Sequence, residues 1–257
     1  MKEPAGVPVV ILCGGKGTRL GSIGKVRPKP LVPIGGMPVL WHIMKSYACH
    51  GFKDFVLCLG HKGEMIEEFF TSGTVGGESA CAVDPTEADW NITFARTGEN
   101  TGTSGRVLLI KPHVEKSDRF FLTYGDGVSS VPIDKLLQYH LHKGKITTVT
   151  GVHPHTTFGV LREEGGIVTA FAEKPRLDVI INGGFFVMER RVFDFLDDDC
   201  PLEERPLKQL TKEGQLAVYR YEGFWQCMDN RKEVEGLNRL WDSNERPWAI
   251  WETQWTR

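Results

Sequence analysis

The sequence predicts a single α/β domain, built on a mixed, mostly parallel β-sheet with helices on both faces. Three observations lead to this class. Apolar, β-branched runs alternate with stretches of helical periodicity through the first half of the chain. The opening apolar run, 9–13, passes straight into the glycine-rich segment Gly14-Gly15-Lys16-Gly17. A length of 257 residues suffices for one large domain with a substantial core, and no linker or repeat divides it. Strand–helix alternation of this kind argues for helices packed on both sheet faces.

Residues 9–13 (VVILC) have the composition of a fully buried strand. A helix over 38–50 follows. Pro38 suits the first helical position, Gly51 lies just past the end, and Val39, Leu40, Ile43, Met44 and Tyr47 share one face. Residues 54–59 read as the next strand, and 64–70 as an amphipathic helix with Met65, Ile66, Phe69 and Phe70 on one side. The polar, glycine-containing stretch 73–89 reads as a surface excursion. A strand at 91–96, a short helix at 104–110 and a buried strand at 120–124 come next, the last ending in Gly125-Asp126-Gly127. A helix over 133–142 and a β-branched strand over 146–152 complete the first half. The second half is richer in strands, at 159–162, 167–172, 184–188 and 216–221, with helices expected at 192–196, 202–212 and 232–241. The tail carries Trp248, Trp251 and Trp255, which need a surface to bury against, either this domain or a second subunit.

A formal net charge of −2 argues against a nucleic-acid binder that works through a basic surface. The six cysteines are scattered and form no CxxC pair, which suits reduced thiols better than a disulfide framework or a zinc site. The first apolar run is too short for a signal peptide, and no stretch approaches transmembrane length, so a cytoplasmic protein with no membrane partner is expected. His140 and His142 point to different helix faces, and His153 and His155 lack a third ligand, so the histidines read as structural or surface residues.

The chemistry concentrates in residues 9–38. Glycines at 14, 15 and 17 let backbone N–H groups approach an anion closely, and Arg19 and Lys29 can neutralise it. The loop is not a dinucleotide fingerprint, because Leu20 stands where the third glycine belongs and no acid follows at the required distance. Nor is it a Walker A loop, which would end in Gly-Lys-Ser/Thr where this chain has Gly17-Thr18-Arg19. Arg and Lys are most often solvated, but Pro28 and Pro30 stiffen the chain around Lys29 and restrict where it points. Ligands of open α/β sheets bind at the carboxyl ends of the strands, which places the glycine loop and Asp126 at one edge. Asp229 follows a third apolar-aromatic stretch. Two such carboxylates can bracket one Mg²⁺, which takes one or two carboxylates plus phosphate oxygens and water. On position alone, Asp126 reads as a turn residue and Asp229 as a helix N-cap before Arg231.

The blocks Gly14-Gly15-Lys16-Gly17-Thr18-Arg19-Leu20 and Arg27-Pro28-Lys29-Pro30-Leu31-Val32-Pro33-Ile34-Gly35-Gly36-Met37-Pro38 resemble the signature of the sugar-1-phosphate nucleotidylyltransferases. Within that family the chain is most similar to the glucose-1-phosphate cytidylyltransferases. Supporting blocks follow in the family's order over nearly the whole chain. They include Thr123-Tyr124-Gly125-Asp126-Gly127-Val128, Glu173-Lys174-Pro175, Ile181-Asn182-Gly183-Gly184 and Gly223-Phe224-Trp225-Gln226-Cys227-Met228-Asp229.

The resemblance implies a Rossmann-like nucleotidyltransferase domain, with a nucleotide-binding half at 8–130, a sugar-phosphate-binding half at 131–242 and a Trp-rich tail at 243–257. It implies Mg²⁺-dependent transfer of a nucleotidyl group from CTP to glucose 1-phosphate, giving CDP-glucose and pyrophosphate. Arg19, Lys29 and Lys174 would be the catalytic cations, and Asp126 and Asp229 the metal ligands. Leu12, Gly14, Gly15, Gly17, Thr18, Arg106, Gly125 and Asp126 would border the nucleotide. Arg106 could donate to the cytosine carbonyl, or could be an ordinary helix-surface arginine. Glu173, Lys174, Asn182 and Gly183 would line the sugar pocket. The partners implied are a nucleoside triphosphate, a sugar 1-phosphate and further copies of the chain in a homo-oligomer. Cys13 stands where the family usually has alanine, and residues 73–89 look rewritten. Two alternatives therefore stay open, a relative using another triphosphate or acceptor, and a catalytically silent nucleotide-sugar binding module.

Overall fold

Seven strands pair into one central sheet in the computed structural model, which describes residues 6–75, 78–79, 89–197 and 200–254. In chain order the main elements are β1 (Val9–Leu12), α1 (Val39–Ala48), β2 (Asp54–Leu59), α2 (Gly63–Ser72), β3 (Asn91–Arg96), α3 (Thr103–Leu109), β4 (Arg119–Tyr124), α4 (Ile133–Lys143) and β5 (Thr147–Val152). They continue with β6 (Val160–Glu164), β7 (Ile167–Ala172), β8 (Ile181–Glu189), α5 (Arg205–Lys212), β9 (Leu216–Tyr221) and α6 (Arg231–Asp242). The central sheet runs β9-β5-β8-β4-β1-β2-β3. Strand β1 is parallel to both β2 and β4, β2 to β3, and β5 to β9. Only β8 runs against its neighbours β4 and β5, so the sheet is mixed and mostly parallel, as the sequence predicts.

Alternate residues of the same strands feed two cores. Val9, Ile11, Phe55, Leu57, Phe121 and Phe185 face one side, where α1, α2, α4, α6 and the tail pack. Val10, Val56, Leu122, Phe186 and Met188 face the other, against α3, α5 and the 3-10 helix Arg190–Phe195. Because both faces are covered, β1 reads as a continuous apolar run rather than an alternation.

Three expectations are refined. The helix read over 202–212 begins only at Arg205, because Pro206 is tolerated in the first turn of a helix but not in its interior. The strands read at 159–162 and 167–172 form, but as a separate two-stranded hairpin, β6–β7, that never joins the sheet. In the tail, Trp248 and Trp251 bury against α1 of their own domain, where Trp41 and His42 receive them. Trp255, Cys81 and most of 73–89 lie outside the described residues.

Candidate active site at the carboxyl edge of the sheet

The glycine loop leaves the end of β1 and threads through short turns. Gly17 takes the left-handed conformation (φ 60°) that starts the 3-10 turn Thr18–Leu20. Gly14 has no side chain for a different reason. A Cβ there would overlap the guanidinium of Arg106, which packs directly on the loop. Farther along, Pro28 is fixed in an extended conformation (φ −65°, ψ 149°) and Pro30 is buried, with Lys29 between them. The stiffened segment aims Lys29 inward, and only 12% of its side chain is exposed.

Lys29 joins the two acids. Its Nζ donates to Asp126 Oδ2 at 2.6 Å and to Asp229 Oδ1 at 2.5 Å. Arg19 Nη1 donates to Asp229 Oδ2 at 3.0 Å from a side chain that is 75% exposed. Burial works against the charge on Lys29, but Asp126 and Asp229 outweigh it and hold the lysine above its ordinary range. Burial would raise Asp229, yet Lys29 and Arg19 hold its carboxyl below the ordinary value.

Backbone pairing explains how acids a hundred residues apart in sequence come to meet. Residues Trp225–Cys227 pair antiparallel with Gly127–Ser129, and Met228 N then donates to Asp126 O at 2.9 Å. On the other side, Gly125 N donates to Leu12 O at 3.0 Å, tying the end of β4 to the end of β1. The N-cap of α6 is Asn230 rather than Asp229. Asn230 forms a capping box with Glu233, whose Oε2 also accepts from Asp229 N at 2.5 Å. That leaves the Asp229 carboxylate free to face Lys29.

Arg106 departs from one of the two roles open to it in the sequence. It is 4% exposed, so it is not a helix-surface residue. It lines the cavity beside the loop, with its terminal nitrogens bonded to protein oxygens. Nη1 donates to Leu59 O at 3.3 Å and Thr97 Oγ1 at 2.6 Å, and Nη2 to Gly14 O at 3.3 Å and Glu99 O at 3.4 Å. It is a brace that fixes the glycine loop against the ends of β2 and β3.

A cavity of about 530 Å³ opens beside the loop. Leu12, Gly14, Gly15, Lys29, Arg106, Gly125 and Asp126 line it, whereas Gly17, Thr18 and Arg19 lie outside its wall. The residues expected around the sugar, Glu173, Lys174, Asn182 and Gly183, do not line it either. Glu173 and Lys174 pair with each other at 3.0 Å beside the β6–β7 hairpin, and Lys174 holds φ 48°, uncommon for a non-glycine residue. Asn182 Nδ2 reaches Tyr124 Oη at 3.4 Å, so the start of β8 adjoins the cavity wall through Tyr124. The Gly183 carbonyl accepts from Trp225 Nε1 at 2.7 Å.

Sequence reasoning did not assign Lys16, Tyr124 or Glu203, all three of which line the cavity. Tyr124 Oη donates to Glu203, whose other oxygen accepts from Thr103 Oγ1 at 3.4 Å. Tyr124 and Lys16 sit inside quoted motifs and were legible there. Glu203 carried no signal, since its segment reads as helix.

Two carboxylates that both reach one ammonium form a donor set that suits Mg²⁺. With a divalent ion held by the two acids, the arrangement would offer phosphate a glycine loop, two cations and the metal.

The nucleotidyl transferase family matches residues 8–242. A Bacillus subtilis protein named "Probable glucose-1-phosphate cytidylyltransferase" is 44% identical over 254 residues, covering 94% of this chain and 99% of its own. The glucose-1-phosphate cytidylyltransferase of Salmonella typhi is 40% identical over 254 residues, covering 95% and 99%. Among solved structures, HddC from Yersinia pseudotuberculosis superposes with a TM-score of 0.69 at 22% identity, covering 91% of this chain and 99% of that one, which shows the shared fold.

Proposed function

Since this chain belongs to the nucleotidyl transferase family, we propose that it transfers the cytidylyl group of CTP to glucose 1-phosphate, giving CDP-glucose and pyrophosphate. The observation that carries nucleotidyl transfer is the Lys29 bridge between Asp126 and Asp229 beside the glycine loop. The choice of CTP and glucose 1-phosphate is supported by the names of the near-full-length relatives.

In this reading an oxygen of glucose 1-phosphate attacks the α-phosphorus of CTP. A new P–O bond forms, and the bond to the bridging oxygen breaks with its electron pair leaving on pyrophosphate. The attacking phosphate is already ionised at neutral pH, so no general base is needed. The barrier is mainly repulsion between two anions and the cost of ordering two substrates. Lys29 and Arg19 reduce the repulsion at the triphosphate. Lys174, in its constrained backbone conformation, meets the sugar phosphate, with Glu173 and Asn182 toward the sugar. Asp126 and Asp229 would hold Mg²⁺, with Lys29 moving from between them to phosphate oxygens. When bound, the metal would screen the charge that develops on the phosphates. The same reading places the protein in the cytoplasm as a homo-oligomer. Among the described residues no helix is long and apolar enough to cross a membrane.

A pyrophosphate-release screen tests the proposal. CTP, UTP, dTTP, ATP and GTP are each paired with several sugar 1-phosphates in the presence of Mg²⁺. Release with CTP and glucose 1-phosphate well above every other pair is the expected result. Preference for another pair reassigns the substrates, and no release with any pair leaves only a binding module.

A further inference from the structure

We propose that Lys16 is a third cation for the triphosphate, parked across the cavity mouth on Asn100 until the nucleotide arrives. The inference rests on the nucleotidyl-transfer reading and adds a binding residue that the signature itself does not assign. The starting point is charge balance. The cavity wall carries the cations Lys16, Lys29 and Arg106 and the carboxylates Glu99, Asp126 and Glu203, so the wall has no net charge with which to receive a polyanion.

The other cations are also committed. Lys29 is shared by Asp126 and Asp229, and Arg19 is held by Asp229 from outside the wall. Both terminal nitrogens of Arg106 are spent on protein oxygens. Lys16 differs from all three. Its Nζ donates to the neutral side-chain oxygen of Asn100 at 3.0 Å, and among the described residues no carboxylate lies within ion-pair distance of it. An ammonium held by an amide oxygen keeps its full charge, and exchanging that oxygen for an ionised phosphate oxygen gives a stronger, charge-assisted bond.

Position supports the exchange. Lys16 is solvent-exposed and sits between Gly15 and Gly17, in the segment whose backbone amides are free to approach phosphate. Its flexible four-carbon stem allows the ammonium to swing without disturbing the loop. The Asn100 contact spans 84 residues of sequence and bridges two sides of the cavity, the glycine loop and the segment after β3. No proton moves in the exchange. Nζ leaves Asn100 Oδ1 and donates the same hydrogen to a phosphate oxygen.

The test uses the full chain and inorganic triphosphate as the probe, titrated calorimetrically into wild type, K16Q, K16R and N100A. We expect K16Q to bind about tenfold more weakly or worse, the scale of one lost charge-assisted bond. K16R should stay within about threefold of wild type, and N100A should bind at least as tightly as wild type. In turnover, K16Q should raise the KM for CTP by a similar factor and leave the KM for glucose 1-phosphate unmoved. Affinity of K16Q within twofold of wild type overturns the proposal. So does a K16R as weak as K16Q, or a wild type that binds no triphosphate. If wild type binds triphosphate but releases no pyrophosphate from CTP, the functional reading fails while the comparison of variants still decides the role of Lys16.

Discussion

An ammonium pressed between two carboxylates in a site only 12% open to solvent on the lysine side makes each acid depend on the other. Removing one charge leaves Lys29 with a single partner and halves the donor set offered to a divalent ion. We therefore expect Asp126→Asn to lower kcat by about a hundredfold or more, the scale of losing one preorganised electrostatic contribution to the transition state. Its far-UV circular dichroism and unfolding midpoint should stay close to wild type, because Asp126 lies at the cavity edge rather than in the core. Near-wild-type turnover of the purified variant with Mg²⁺ present would show that the acid pair holds no metal. At this scale the sequence was legible where local chemistry constrains a residue. The prolines on either side of Lys29 restrict where it points, whereas the N-cap role that Asp229 could have held in the sequence belongs to Asn230 in the structure. It was illegible where a side chain's fate depends on a partner brought by topology. Arg106 reaches Gly14 across 92 residues, and nothing local to α3 says that its guanidinium is buried.

Helix α1 joins the tail to the site, because it follows the signature segment directly and receives the tryptophans. His42 on α1 is 1% exposed and surrounded by Trp41, Trp241, Trp248 and Trp251. Its Nε2 lies 2.9 Å from Ile34 O and so carries the proton, while Nδ1 accepts from Trp248 Nε1 at 3.4 Å. A second proton on Nδ1 would face the indole N–H, and burial pulls the imidazole down from 6.5 to about 4. Folding therefore binds His42 in its neutral form. The contribution is complete above pH 6.5 and is lost as the pH falls toward 4, amounting to about 3 kcal/mol once both pKa values are passed. His140, also buried and pulled down to about 4, adds a loss in the same window. Urea unfolding at pH 7.5 and pH 5 should show wild type losing stability on acidification. His42→Asn, weaker at pH 7.5, should lose distinctly less between the two values. An equal loss in both proteins would mean that His42 is not what acid attacks. The elements themselves were largely readable, since the strands buried on both faces appear as unbroken apolar runs and α1 as a one-sided stripe. The start of α5 was misplaced because helical periodicity extends past the point where Pro206 fixes the first turn.

Across the whole molecule, apolar surface is distributed unevenly. The tryptophans Trp248 and Trp251 are spent on the chain's own core, so they leave no free face for a neighbour. The hairpin β6–β7 is the reverse case. Leu161, Ile167 and Phe171 are 58%, 71% and 65% exposed, and Phe158 at its base is 75% exposed. A strand sequence announces this apolar content but cannot announce that, among the described residues, no third strand or helix covers it, which is why β6 and β7 read as ordinary members of the sheet. An isolated two-stranded hairpin is marginal in water, and a single chain rarely leaves such a cluster uncovered. The homo-oligomer expected of this protein is thus better served by the hairpin than by the tail. Light scattering coupled to size exclusion should give a multiple of one chain's mass for wild type. The double variant Leu161→Asp, Ile167→Asp should shift to a smaller species with unchanged circular dichroism, because neither side chain touches the central cores. Tenfold dilution should move wild type in the same direction if the contact is the modest one these side chains can supply. A wild type that runs as one chain at every concentration would remove the oligomer, and an unshifted double variant would remove the hairpin from its interface.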